Sequence, residues 1–147
     1  YKLEKYILIF PFSSPHLTIK RWPYYNDLIK KIKEYYKEKY QVITAPAPNE
    51  IDIAHKLNTL CILNNDKALN ITQLSSLIKH SAFVIANDTG PAHMAAHLNV
   101  KGIALFGSHT TARKVSIERD NFKAIQVSDL TKLSADKVFQ RMQEAIS

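Results

Sequence analysis

The chain has 147 residues, 46% of them hydrophobic, with 20 Lys and Arg against 13 Asp and Glu and a formal charge of +7. That length holds one compact domain burying roughly 70% of its unfolded surface and excludes two full domains. The positive balance attracts phosphates, nucleic acid or an anionic membrane surface, and a single cysteine excludes a disulfide framework.

In chain order, Tyr6-Ile7-Leu8-Ile9-Phe10 is a continuous apolar run ended by Pro11, as expected of a first strand buried on both faces. From Tyr24 to Tyr40, Leu28, Ile29, Ile32, Tyr35 and Tyr36 recur at helical spacing, so an amphipathic helix is expected to cover the sheet. Its cations Lys30, Lys31, Lys33, Lys37 and Lys39 are interrupted by Glu34 and Glu38. That pattern reads as a solvated face, with docking to acidic lipid as the functional alternative.

Gln41 to Thr44 reads as a strand, Glu50 to Leu57 as a short helix, Leu60 to Leu63 as a third strand and Ile71 to His80 as a helix. Cys61 is expected to be a small buried hydrophobe in a reducing, cytoplasmic compartment. The alternation continues through Phe83 to Ala86, a helix opened by Pro91, Gly102 to Phe106, and a last strand around Ala124 to Val127. A closing helix from Ser134 presents Val138, Phe139, Met142 and Ile146 on one face.

No apolar run approaches the roughly 18 residues of a membrane span, and the amino end carries no signal-peptide pattern. Because the first residue is Tyr1 rather than Met, we read the chain as an excised fragment, a single domain over 1–147 whose partner domain lies elsewhere.

Repeated strand–helix crossovers predict an α/β fold: a doubly wound, mostly parallel sheet with helices on both faces and ligands at the carboxyl ends of the strands. The polar residues fall there. Ser13 and Ser14 follow strand one, Pro46 to Glu50 strand two, Asp88-Thr89-Gly90 strand four and Gly107-Ser108-His109 strand five.

Asp88-Thr89-Gly90-Pro91-Ala92-His93 is the strongest constellation. Pro91 suits the first helical position because its missing N–H has no intrahelical partner there, and Gly90 lets a ligand approach the main chain. The free N–H groups and the positive end of the helix dipole then make a phosphate site. The bland alternative is that Asp88 merely caps the helix. An Asp-Thr-Gly protease reading fails on context, since those enzymes are all-β and need a second such motif.

His93 and His97 have metal-ligand spacing but no third ligand, so His93 is assigned to a phosphate and His97 to packing or solvent. After strand one, Lys20 and Arg21 are placed to neutralise a diphosphate with Ser13 or Ser14 bonding it, while Trp22 anchors the loop on the first helix. The only glycines are Gly90, Gly102 and Gly107, so the dinucleotide fingerprint and the P-loop are both missing. Nucleic-acid binding is disfavoured because the aromatics are not interleaved with exposed cations.

Lys20-Arg21-Trp22-Pro23, Asp88-Thr89-Gly90-Pro91-Ala92-His93 and Ala104-Leu105-Phe106-Gly107, in this order and spacing, resemble glycosyltransferase family nine, the lipopolysaccharide heptosyltransferases of bacteria. The chain departs from that family's usual pattern at Phe12, where a Gly is common, and at Ser108-His109, where Pro-Thr is common.

The resemblance implies the carboxyl-terminal, Rossmann-like half of a two-domain (GT-B) enzyme. Such an enzyme transfers a heptose-like sugar from a nucleotide diphosphate sugar such as ADP-heptose to a lipopolysaccharide core acceptor. It implies no metal and no cofactor, an amino-terminal acceptor domain carrying the general base, and work in the cytoplasm with peripheral contact at the anionic inner-membrane surface. By position, Lys20 and Asp88 carry the catalytic stabilisation of diphosphate and sugar, Ser13 and Ser14 lie beside the diphosphate, and Glu50 reaches the ribose. Thr89, Gly90 and His93 complete the donor site. A non-catalytic nucleotide-sugar-binding or interaction module is the alternative.

Overall fold

The computed structural model describes residues 3–12, 22–107 and 117–146. The elements are β1 (Tyr6–Phe10), α1 (Tyr25–Tyr36), β2 (Gln41–Thr44), α2 (Ile51–Ala54), β3 (Leu60–Cys61), α3 (Ile71–Lys79), β4 (Phe83–Asn87), α4 (Gly90–His97), β5 (Gly102–Phe106), β6 (Phe122–Gln126) and α5 (Ala135–Ile146). The strands form one six-stranded sheet in the order β3-β2-β1-β4-β5-β6. Every pair in it is parallel. The expected doubly wound α/β class is therefore present.

Strands buried on both faces need apolar side chains at every position, and β1, β4 and β5 are buried throughout. Their alternate residues feed two cores. Ile7, Ile9, Phe83, Ile85, Ile103 and Leu105 meet Leu28, Ile29 and Ile32 of α1 and Val138, Met142 and Ile146 of α5. On the opposite face, Tyr6, Leu8, Phe10, Val84, Ala86, Ala104 and Phe106 meet Ile78 of α3 and Ala92, Ala95 and Ala96 of α4. Each fully buried large aliphatic contributes about 1.5–3 kcal/mol. The alanines let α4 lie close to the sheet, which sets its amino end beside the end of β4.

Several boundaries differ from the sequence reading. The first helix stops at Tyr36 because Lys37 takes φ 52 and ψ −119 and returns its N–H to the Lys33 carbonyl. The second splits into a 3-10 turn at Pro48–Glu50 and a single turn of α-helix. β3 is a two-residue edge strand, cut short by a tight turn in which Asn65 and Asp66 have φ 50 and 65. Cys61 is consequently only partly buried, which corrects its expected place in the core, and the partial burial pushes its thiol up from the ordinary range.

β6 begins at Phe122 rather than Ala124, because Phe122 pairs with Gly102 and covers the space that glycine leaves. No helix among the described residues is long and apolar enough to cross a membrane.

Candidate functional site

β1 and β4 are neighbours in the sheet, yet the chain leaves β1 for α1 on one face and β4 for α4 on the other. That divergence is the topological switch point, where the loops part and leave a crevice at the carboxyl edge. A cleft of about 580 Å³ lies there. It is lined by Phe12 after β1, Ala45 to Pro48 and Glu50 after β2, Leu69, Ile71 and Leu74 before and on α3, and Asp88 to Pro91 and Met94 at β4–α4.

The amino end of α4 faces this cleft. Thr89 is the N-cap, in extended conformation and with no side-chain cap bond; its hydroxyl instead donates to the Asn87 carbonyl at 3.3 Å. Asp88 is thus not the helix cap. Pro91 has no N–H, and the N–H groups of Gly90 and Ala92 have no intrahelical acceptor in the first turn. An added Cβ on Gly90 meets nothing within 4 Å, so the described protein leaves this approach to the main chain open.

Asp88 is 1% exposed. Its Oδ1 stands 3.5 Å from His93 Nε2, and the His93 side chain is 32% exposed. Asp88 is therefore placed to orient His93, and the imidazole is the exposed member of the pair. His93 does not line the cleft itself. His97 is exposed, and among the described residues no group of three or more His, Cys, Asp or Glu could hold a metal.

Glu50 lines the cleft, and its Oε1 accepts the Ala47 N–H at 2.9 Å, which fixes the turn after β2. The structure thus brings Glu50, Asp88, Thr89 and Gly90 to one cleft, with His93 joined to it through Asp88. Ser13, Ser14, Lys20, Arg21, Ser108 and His109 lie outside the described residues.

Sequence reasoning placed Phe12 and Pro46 at this edge but missed the rest of the apolar lining, namely Ala45, Leu69, Ile71, Leu74 and Met94. Their common signal is position after the first three strands or on the helix faces that flank the crevice. It also missed Asn87, which is fully buried. Its Oδ1 accepts the Tyr25 hydroxyl at 3.1 Å and the Trp22 N–H at 3.4 Å, and its Nδ2 donates to the Pro11 carbonyl at 3.0 Å. Trp22 does anchor against the first helix, edge-on to Tyr25 with centroids 5.0 Å apart, and its indole N–H donates to the Leu133 carbonyl at 2.7 Å.

The model of glycosyltransferase family 9 (heptosyltransferase) matches residues 2–142. The chain belongs to glycosyltransferase family 9. Within the family it is similar to the lipopolysaccharide core heptosyltransferase OpsX of Haemophilus influenzae, 33% identical over 73 residues that make up 48% of this chain and 21% of that protein.

In structure it resembles the E. coli heptosyltransferase WaaC with ADP (TM-score 0.78, 19% identity, 96% of this chain and 44% of that one). It also resembles E. coli ADP-heptose lipopolysaccharide heptosyltransferase II (TM-score 0.75, 22% identity, 97% and 46%). This family 9 chain spans less than half the length of each of these relatives. Its sheet and the two helical layers are the fold they share.

Proposed function

We propose that this chain is the donor-binding half of a bacterial family 9 enzyme that moves a heptose-like sugar from a nucleotide diphosphate sugar to a lipopolysaccharide core acceptor. Family membership supports the class of reaction, and the likeness to WaaC with ADP supports the nucleotide. The observation that carries the reading is the open amino end of α4 at Gly90, aimed into a cleft at the switch point.

As the bond from the sugar's anomeric carbon to the β-phosphate oxygen breaks, negative charge grows on the departing diphosphate. Preorganised N–H groups at a helix start stabilise that charge more than they stabilise the bound donor, and so lower the barrier. Lys20 adds a cation, with Ser13 and Ser14 beside it. His93, oriented by the buried Asp88, donates toward phosphate or sugar, and Glu50 meets the ribose above the apolar walls. Protein groups do this without a metal. The acceptor hydroxyl gives its proton to a base in an amino-terminal domain, and the assembled enzyme works in the cytoplasm against the anionic inner-membrane surface.

Isothermal titration with ADP tests the donor half of this reading. Binding at or below millimolar ADP is expected, and none at that concentration refutes it. Lys20→Ala removes a charge-assisted contact worth about 1.5–3 kcal/mol, so the titration is expected to weaken at least about tenfold. An unchanged affinity would remove Lys20 from the site.

A further inference from the structure

We propose that Asn87 is a positioning residue for this cleft, a clamp that holds the exit of β1 and the entry to α1 against the β4–α4 turn. The inference rests on the nucleotide reading given above.

Asn87 ends a strand whose preceding residues Phe83 to Ala86 are all apolar and fully buried. A buried carboxamide in such a place is costly unless its hydrogen bonds are made. Here its oxygen takes two donors and its nitrogen serves one acceptor, on residues 62, 65 and 76 positions away in sequence. An apolar residue at 87 would continue the strand but leave the Tyr25 hydroxyl, the Trp22 N–H and the Pro11 carbonyl without these bonds.

The clamp is covalently next to both walls of the cleft. Pro11 precedes Phe12, which lines one side; Asn87 precedes Asp88, Thr89 and Gly90, which line the other. The Asn87 main-chain carbonyl also receives the Thr89 hydroxyl, so the N-cap of α4 is tied to the same residue. On the far side, Trp22 passes the constraint to Leu133, just ahead of α5. One side chain therefore fixes the spacing between Phe12 and the phosphate-facing helix start. A helix terminus stabilises an anion only when its N–H groups are held at hydrogen-bonding distance.

The test compares ADP affinity in Asn87→Ala with that in Met142→Ala. Met142 is a fully buried residue of the α1–α5 core that does not line the cleft, so it reports general destabilisation. Both are titrated well below their melting temperatures. Asn87→Ala is expected to weaken ADP binding by about tenfold or more while Met142→Ala stays within about twofold of the parent.

Equal affinity in Asn87→Ala and the parent overturns the clamp, as does an equal loss in the two variants. Where Asn87→Ala does not fold, Tyr25→Phe removes one of the three ties, and a loss of about two- to fivefold is expected; parental affinity there overturns the proposal. A parent that ignores millimolar ADP sinks the donor reading and the clamp with it, a pattern distinct from a parent and variant that bind alike.

Discussion

Gly90→Ala separates a glycine kept for a ligand from one kept for the fold. Gly90 opens α4, its φ is not positive, and a Cβ placed there touches no described heavy atom within 4 Å. Neither strain nor collision therefore opposes alanine. Removing a glycine from a helix and from the unfolded ensemble is worth up to about 0.5–1 kcal/mol, so the melting temperature without ligand is expected to hold or rise by about 2–4 °C.

On the proposed donor reading, a diphosphate meets the free N–H groups of this helix start, and the same methyl, which stands in open space there, is expected to hinder that approach. Pushing the anion back from the helix start forfeits an interaction of up to about 2 kcal/mol, and a loss of about 1.4 kcal/mol is already tenfold in affinity. Thermal melts with and without ADP read both effects together: a higher baseline melting temperature and a smaller ADP-induced shift. A variant that melts higher yet binds ADP as tightly as the parent would refute the placement of phosphate at α4. A variant that melts several degrees lower would show that the glycine serves the fold.

At Gly102 the opposite outcome is expected, because an added Cβ would lie 2.6 Å from the Val84 carbonyl oxygen and 2.7 and 2.8 Å from the Phe122 ring. Gly102→Ala is expected to cost about 1–3 kcal/mol in urea unfolding, with ADP affinity unchanged because β5 begins at the edge of the sheet away from the cleft. Lys37→Gly relieves a non-glycine residue at φ 52 and ψ −119 and is expected to stabilise by about 0.5–1 kcal/mol in the same assay. Burial pushes the Tyr25 hydroxyl well above its ordinary value of 10.0. The unfolded chain releases that proton first, so the contribution to stability is complete below pH 10 and declines as pH rises beyond it. Unfolding free energies at pH 8 and pH 11 are expected to differ less in Tyr25→Phe than in the parent.

The fold was legible because its signals are local. The runs at Tyr6–Phe10, Gln41–Thr44 and Gly102–Phe106 have the same bounds in sequence and structure; β1 and β5, buried on both faces, tolerate no polar interruption. Misplaced boundaries trace to facts that lie outside the local pattern. The start of β6 depends on Phe122 covering Gly102 from a neighbouring strand. The shortness of β3 depends on its edge position, where Leu60 is 41% exposed and apolar character no longer marks burial.

The site divides along the same line. Asp88, Thr89, Gly90 and Pro91 were legible as a strand-to-helix turn because glycine and proline chemistry acts within one turn of backbone. Asn87 stood beside them unnoticed, because a lone Asn at the end of an apolar run is an ordinary strand terminator until the sheet order is known. Only when β1 and β4 become neighbours does its carboxamide fall between Pro11 and Trp22. The apolar walls were hidden for a related reason: Leu69, Leu74 and Met94 carry no local signal of a site, and they become one surface when the crossovers after β3 and β4 meet at a common edge. A helix start with free main-chain N–H groups can be read from a short motif, whereas the apolar cleft beside it is a property of the topology.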